Sequence, residues 1–228
     1  MTSAEAVGLR LQDRLRAAVD DLLLGGTNPW ELDEAMVEHG FAMGPNEAQD
    51  LVGLDVAYNR RKTQPRDPKR RYVLISDRMV QEGRLGRKVG VGWYRYPGGG
   101  GKVIDPLVED LCREEAHFAR VTRRDFTDAE ICERLVLAMI HEAAALLGEG
   151  VKANQIDAVS PAYLGTSQAQ GGLIQIADRL GPKAVMAKLQ DLANQSAVDW
   201  TPGHLVTHCA AKGISFADFS GSGSRGNH

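Results

Sequence analysis

The chain has 228 residues, 43% of them hydrophobic and 25% charged, with a formal net charge of −3. Such a composition suits a soluble globular protein of one large or two small domains with a sizeable core. The small net charge supplies no general pull toward nucleic acid or membrane, and Cys112, Cys132 and Cys209 lack metal or redox spacing and suit reduced cytosolic thiols.

In chain order, MTSAEAVGLRLQDRLRAA carries charges where a signal peptide needs an apolar run. No stretch approaches a membrane span in length, so a cytoplasmic location is expected. Thr2-x-x-Glu5 forms a capping box for a first helix, whose Leu9, Leu11, Leu15, Val19, Leu22 and Leu23 follow a helical period. Gly25-Gly26 ends it, and Asn28-Pro29-Trp30-Glu31 starts the next, with Asn28 as cap and Pro29 in the first position. Pro45 opens a third helix running through NEAQDLVGLDVAYNRR. The segment NRRKTQPRDPKRRY (59–72) is strongly basic and broken by Pro65 and Pro68. YVLIS is an isolated apolar run too short to build a sheet, and Ile75, Met79 and Val80 suggest a helix through SDRMVQ.

GRLGRKVGVGWYRYPGGGGK (83–102) puts glycines beside lysines, as a phosphate loop does. The spacing rejects that function. Counting back from Gly101-Lys102, the first P-loop glycine falls on Tyr96, and Val103 replaces the hydroxyl residue. Gly90 and Gly92 begin a dinucleotide fingerprint, but its third glycine is Arg95. Gly98–Gly101 then reads as a flexible joint. Asp105-Pro106 starts a helix through PLVEDLCREEAHFA, and Thr127-x-x-Glu130 is a second capping box, with Phe126 placed to staple onto Ile131. FSGSGSRGNH at the end has no apolar periodicity and is expected to be disordered.

The chain resembles itself. LLLGGTNPWELDEAM (22–36) aligns with LLGEGVKANQIDAV (146–159), which sets Gly26 on Gly150, Leu32 on Ile156 and Asp33 on Asp157. Arg10 falls on Arg134 at the same offset, and after a short insertion Gly44, Asp50 and Gly53 fall on Gly172, Asp178 and Gly181. The expectation is an all-α fold of two tandem similar helical repeats packed about a pseudo-twofold axis. The boundaries read as 1–97 for the first repeat, 98–124 for a linker with one helix, 125–219 for the second and 220–228 for the tail.

GFAMGPNEAQDLVGLDVAY, followed by DRMVQEGRLGRKVGVGWYRY, resembles the C-terminal helical domain of the 3-hydroxyacyl-CoA dehydrogenases. The nearest likeness is the duplicated form in multifunctional fatty-acid β-oxidation proteins. ERLVLAMIHEAAALLGEG and AAKGISFADF fit the second copy and its end. The resemblance implies a fold like the C-terminal part of 6-phosphogluconate dehydrogenase. It also implies that NAD and the His–Glu base pair belong to a Rossmann domain, for which this sequence has no counterpart. NAD would then be held by a partner domain, and this chain would bind no cofactor. The family's polar asparagine near the start of the first helix corresponds to Leu9, which cannot hydrogen-bond through its side chain. Asn46 stands in place of a phenylalanine, and Leu173 follows Gly171-Gly172 where proline is usual.

No catalytic residue is therefore expected in this chain. The substrate-binding candidates are Leu9, Met43, Gly44, Pro45 and Lys88, and Arg60, Arg61, Lys69 and Arg70 are candidate contacts for CoA phosphates. His204-x-x-x-His208, with Cys209 beside it, puts two imidazoles on one helical face, as a zinc site does. No third ligand is identifiable, so the reading is a solvated pair and no metal. His141, beside Glu142, reads as a surface or core histidine.

The resemblance implies the acyl-CoA-cleft and dimerisation part of a 3-hydroxyacyl-CoA dehydrogenase. It would bind acyl-CoA weakly and need a Rossmann-domain or hydratase/dehydrogenase chain for hydride transfer, with a homodimer as one assembly. Leu9 favours an alternative, a non-catalytic acyl-CoA-binding or scaffolding module. An unrelated helical interaction protein is a third reading. Neither nucleic acid nor membrane is an expected partner.

Overall fold

A computed structural model describes residues 3–63, 65, 72–195 and 200–219. These residues form eleven α-helices and one two-stranded sheet. The all-α expectation holds apart from that small hairpin. Contacts divide the chain into two compact units, residues 13–136 and residues 1–12 with 137–228. The sequence division at 97 and 125 follows an expected internal repeat, whereas this one follows packing.

Helix α1 (Ala4–Gly25) and helix α7 (Asp128–Gly148) each contribute to both units. Unit 13–136 adds α2 (Pro29–Glu38), α3 (Pro45–Val52), α4 (Leu54–Lys62), α5 (Ile75–Gln81) and α6 (Pro106–Phe118). Its strands β1 (Tyr94–Arg95) and β2 (Val103–Ile104) pair antiparallel, Tyr94 opposite Ile104. Leu15, Val19, Leu23, Leu32, Met36, Ile75, Met79 and Trp93 are buried in its core. The other unit adds α8 (Ala153–Leu164), α9 (Leu173–Leu180), α10 (Pro182–Gln195) and α11 (His204–Lys212). There the core includes Ile140, Leu146, Ile156, Leu173, Val185, Leu189, Val206 and Phe216.

Local signals place most helix starts. Asn28 precedes α2 with Pro29 in its first turn, and the Asn28 N–H donates to Glu31 at 3.2 Å. At α7, the Thr127 N–H donates to Glu130 at 3.0 Å and the Glu130 N–H donates back to Thr127 Oγ1 at 3.3 Å. The proposed cap Thr2 and the tail 220–228 lie outside the described residues. Ser3 Oγ accepts from Ala6 N at 3.1 Å at the start of α1.

Two expectations are corrected. The single third helix is two helices, α3 and α4, because Gly53 takes φ +101° and the Leu54 N–H turns to Leu85 O at 3.2 Å. Gly98–Gly101 is not a loose joint. Gly98 and Gly99 adopt φ +60° and +76° in the turn joining β1 to β2, with Gly99 N donating to Tyr96 O and Gly100 N to Pro97 O, each at 3.1 Å. Backbone bonds of known partners fix this glycine run, and only glycine tolerates the two left-handed steps.

Candidate functional site

The Met43-Gly44-Pro45 turn opens α3 and is held against α2 by one buried carboxylate. Asp33 of α2 accepts from the N–H groups of Asn46 and Glu47 at 2.8 and 2.9 Å. Those donors belong to the first turn of α3, which has no other cap because Gly44 has no side chain. Asp33 therefore does from α2 what a capping residue does locally. Asn46 Nδ2 and Tyr94 OH complete its shell at 3.0 and 2.9 Å. The approach explains Gly44: a Cβ there would lie 2.2 Å from the Cβ and Cγ of Asp33. Pro45 is buried at the first helical position and Met43 is half-buried.

Asp50, on the same short helix, anchors the segment that follows. It accepts from Trp93 N at 2.8 Å, Tyr94 N at 2.9 Å and Tyr96 OH at 3.0 Å. A Cβ on Gly92 would lie 1.9 Å from Asp50 Oδ1, and one on Gly86 would lie 2.4 Å from Asp50 O. The glycines of GRLGRKVGVGWYRY thus let this backbone close around a carboxylate, not a phosphate. Arg84 braces the segment from behind, donating to Gly92 O at 3.0 Å and to the buried Asp105 at 2.6 Å. Asp20 plays the same part for α5, accepting from Leu74 N and Ser76 N at 2.8 and 2.9 Å.

Burial pushes Asp20, Asp33 and Asp50 each up to about 6, although the hydrogen bonds they accept pull the other way. Burial, then the neighbouring carboxylates, raise the Tyr94 and Tyr96 hydroxyls well above their ordinary value. Both remain donors throughout the neutral range.

Within unit 13–136, the sequence-predicted residues that are described do not gather at one point. Met43, Gly44 and Pro45 stand at the start of α3. Lys88 stands beside Gly53 at its far end, since a Cβ on Gly53 would come within 2.8 Å of Lys88 Nζ. Eight residues of helix separate the two by roughly 12 Å. Lys88 is exposed and paired with Asp55 at 2.5 Å. Arg60 and Arg61 are turned into the unit, where Asp13 pairs with Arg60 and Asp77 with Arg61. Lys69 and Arg70 lie outside the described residues. Leu9 belongs to the other unit and is half-buried on α1. Its neighbour Gly8 is covered by Tyr163, whose ring carbons would lie 2.5 Å from a Cβ there.

Asn46, which stands where the resembled family has a phenylalanine, is wholly buried in the Asp33 network, and its Oδ1 has no hydrogen-bond partner. Asp33, Asp50, Tyr94 and Tyr96 were the residues that sequence reasoning missed as an ensemble. The only signal was the matching of Asp33 and Asp50 with Asp157 and Asp178. Those two have similar duties in their own unit. Asp157 accepts from Ile174 N at 2.6 Å, with Gly172 pressed on it as Gly44 is on Asp33. Asp178 accepts from Phe216 N and Ala217 N at 2.6 and 3.1 Å.

No group of three or more His, Cys, Asp or Glu side chains among the described residues is arranged to hold a metal ion. Cys209 is buried, with its sulfur 3.9 Å from Ser215 O. His204 and His208, with ring centroids 6.0 Å apart, do share a cleft with His141. No described helix is long and apolar enough to cross a membrane.

Residues 9–96 match the family model described as 3-hydroxyacyl-CoA dehydrogenase, C-terminal domain. The chain is 34% identical over 192 residues to the peroxisomal bifunctional enzymes of Pongo abelii and Homo sapiens, matching over 77% of its own length. It spans about a quarter of the length of these relatives, 27% in each case. Among solved structures, the dehydrogenase part of multifunctional enzyme 1 from C. elegans superposes with a TM-score of 0.68 at 19% identity, over 90% of this chain and 48% of that one. The 3-hydroxybutyryl-CoA dehydrogenase of Escherichia coli superposes with a TM-score of 0.64 at 17% identity, over 90% of this chain and 58% of the other.

Proposed function

We propose that this chain, whose residues 9–96 match the family model described as 3-hydroxyacyl-CoA dehydrogenase, C-terminal domain, supplies the helical wall of an acyl-CoA cleft. A region with a nucleotide-binding fold would supply NAD and the base. The observation that carries the reading is the Asp33-anchored turn. A half-buried methionine sits beside a proline-started helix whose first turn is fixed to α2 by four hydrogen bonds, three to Asp33 and one from Asn46 Nδ2 to Pro29 O. Such a wall is rigid before substrate arrives, which lowers the ordering cost of binding. No strand–glycine loop–helix unit occurs among the described residues, so no hydride step is assigned to them.

Of the described candidates Lys88, Arg60 and Arg61, Lys88 is the one best placed for CoA phosphates, because it is exposed and its pairing with Asp55 is at the surface. Arg60 and Arg61 would have to abandon Asp13 and Asp77 first. Binding by this chain alone is expected near −5 kcal/mol, or about the high micromolar range. A second copy of the chain is a further proposed partner.

The test mixes the chain with the NAD-binding part of a related dehydrogenase and follows NADH formed from 3-hydroxybutyryl-CoA. The expected result is no NADH from the chain alone and NADH from the mixture. Leu9 favours the second reading, a non-catalytic acyl-CoA-binding module. Acetoacetyl-CoA binding without NADH in any mixture would decide for that reading. Absence of both would sink the two together.

A further inference from the structure

The cleft that receives His141, His204 and His208 lies wholly within the unit formed by residues 1–12 and 137–228. Its volume is about 480 Å³, inside the roughly 300–1,000 Å³ typical of small-ligand sites. One wall is the α7 face His141, Ala144, Ala145 and Gly148, at positions that share one side of a helix. Beyond the histidine, that face carries nothing larger than a methyl group, so it recedes. Across from it stand His204, Leu205 and His208 of α11, and Phe219 closes the end. Space is open at both walls: a Cβ added to Gly148 or to Gly203 would meet no heavy atom within 4 Å.

The polar lining has one chemistry. Every side-chain nitrogen or oxygen of the lining residues belongs to an imidazole, and no carboxylate, ammonium or guanidinium is among them. His141 Nε2 is 2.9 Å from Thr201 O. A carbonyl only accepts, so that nitrogen carries a proton and His141 is oriented by the backbone. His208 meets Phe219 edge-on with centroids 5.9 Å apart, and His204 and His208 stand beside an apolar chamber, each imidazole able to offer one N–H when neutral and two when protonated. A cation finds no counter-charge there. A metal ion lacks a third ligand among the described residues. An anionic head with an apolar body matches both parts of the surface.

We propose that this cleft binds a small amphipathic carboxylate, its apolar body against Ala144, Ala145, Leu205 and Phe219 and its carboxylate on His204 and His208. The site is separate from the turn at Met43-Gly44-Pro45 and does not depend on the function proposed for that turn.

The probe is octanoate, titrated calorimetrically into the full chain. Octan-1-ol and octylammonium are the controls, since they keep the apolar body but remove or reverse the charge. Octanoate is expected to bind at least about tenfold more tightly than octan-1-ol, with octylammonium weakest. Replacing His204 and His208 together by alanine should abolish the preference for octanoate over octan-1-ol. Gly148→Met should fill the chamber and remove binding of both. Gly148 lies in the last turn of α7 with open space beside it, so this variant is expected to fold, which circular dichroism checks. Ala145→Met, on an exposed position of the same wall, is the second filling variant. No octanoate binding below about 10 mM, or octylammonium binding as well as octanoate, would overturn the proposal. So would unchanged octanoate binding by either folded filling variant.

Discussion

Asp33 shows how one side chain can fix the site. Its two oxygens accept from four donors, so replacing one oxygen by an NH₂ group sets donor against donor. Asp33→Asn is expected to cost about 1–3 kcal/mol in urea unfolding while leaving helix content unchanged. Gly44→Ala should cost a similar amount, about 1–3 kcal/mol, because the new methyl collides with a backbone-anchored carboxylate that has no room to retreat. The pH dependence follows from the same burial. Asp20, Asp33 and Asp50 hold protons up to about pH 6 in the folded chain and release them near 3.8 when unfolded. Between those values the folded state binds more protons, so stability falls as pH rises through this window. Glu130 behaves oppositely. Arg124, then the Thr127 N–H, pulls it down to about 2, so its contribution is present above its ordinary value of 4.5 and lost as pH falls below that. The urea midpoint is therefore expected to drop between pH 4.5 and 7, with a shallower slope for Asp33→Asn. An equal slope in that variant would remove Asp33 from the explanation.

At the scale of elements, the segment from Arg84 to Asp105 joins a hairpin to the start of α6. Asp105 accepts from Arg84 and also caps α6 by accepting from Leu107 N at 3.3 Å. Arg84→Met would leave a buried carboxylate with one partner too few, at a cost of about 3–5 kcal/mol. Adding Asp105→Asn keeps an acceptor for the cap and removes the charge. The double variant is expected to recover at least about 1 kcal/mol of that loss, measured as a double-mutant cycle in urea. The capping box at α7 is the simpler case. It lies at the surface within four residues of chain, and Thr127→Ala should cost about 1 kcal/mol.

For the molecule as a whole, the proposed acyl-CoA binding and the stability of the fold are expected to draw on different cations. Arg60 and Arg61 neutralise Asp13 and Asp77, and Asp77 also accepts from Tyr72 OH. Replacing both arginines by alanine should lower the urea midpoint and leave acetoacetyl-CoA binding by the folded chain within about twofold of the parent value. Lys88→Ala should do the reverse, weakening that binding by about three- to tenfold with stability nearly unchanged. Calorimetry and urea unfolding on the two variants separate these outcomes.

Helix starts were legible in the sequence because they are local matters. Asn28-Pro29, Pro45, Pro106 and Thr127-x-x-Glu130 each satisfy backbone donors within a few residues, or occupy a position where a donor is not needed. The resemblance was legible for a related reason: GFAMGP and GRLGRKVGVGWYRY record tight approaches that only glycine permits. The partner in each approach was not legible. Gly44 points to Asp33 and Gly92 to Asp50, 11 and 42 positions earlier in the chain, and nothing in the glycines names those carboxylates. The division of the third helix at Gly53 likewise depends on Leu85, whose carbonyl receives the turned Leu54 N–H. Charge was the least legible of all. NRRKTQPRDPKRRY counts as a basic loop in sequence, yet two of its arginines meet carboxylates on α1 and α5. His204 and His208 read as a pair on one helix face, but nothing joined His141 to them until packing set α7 and α11 around one chamber. Short-range hydrogen bonding sets where the helices begin, whereas the meeting of side chains far apart in sequence is decided only when their elements pack.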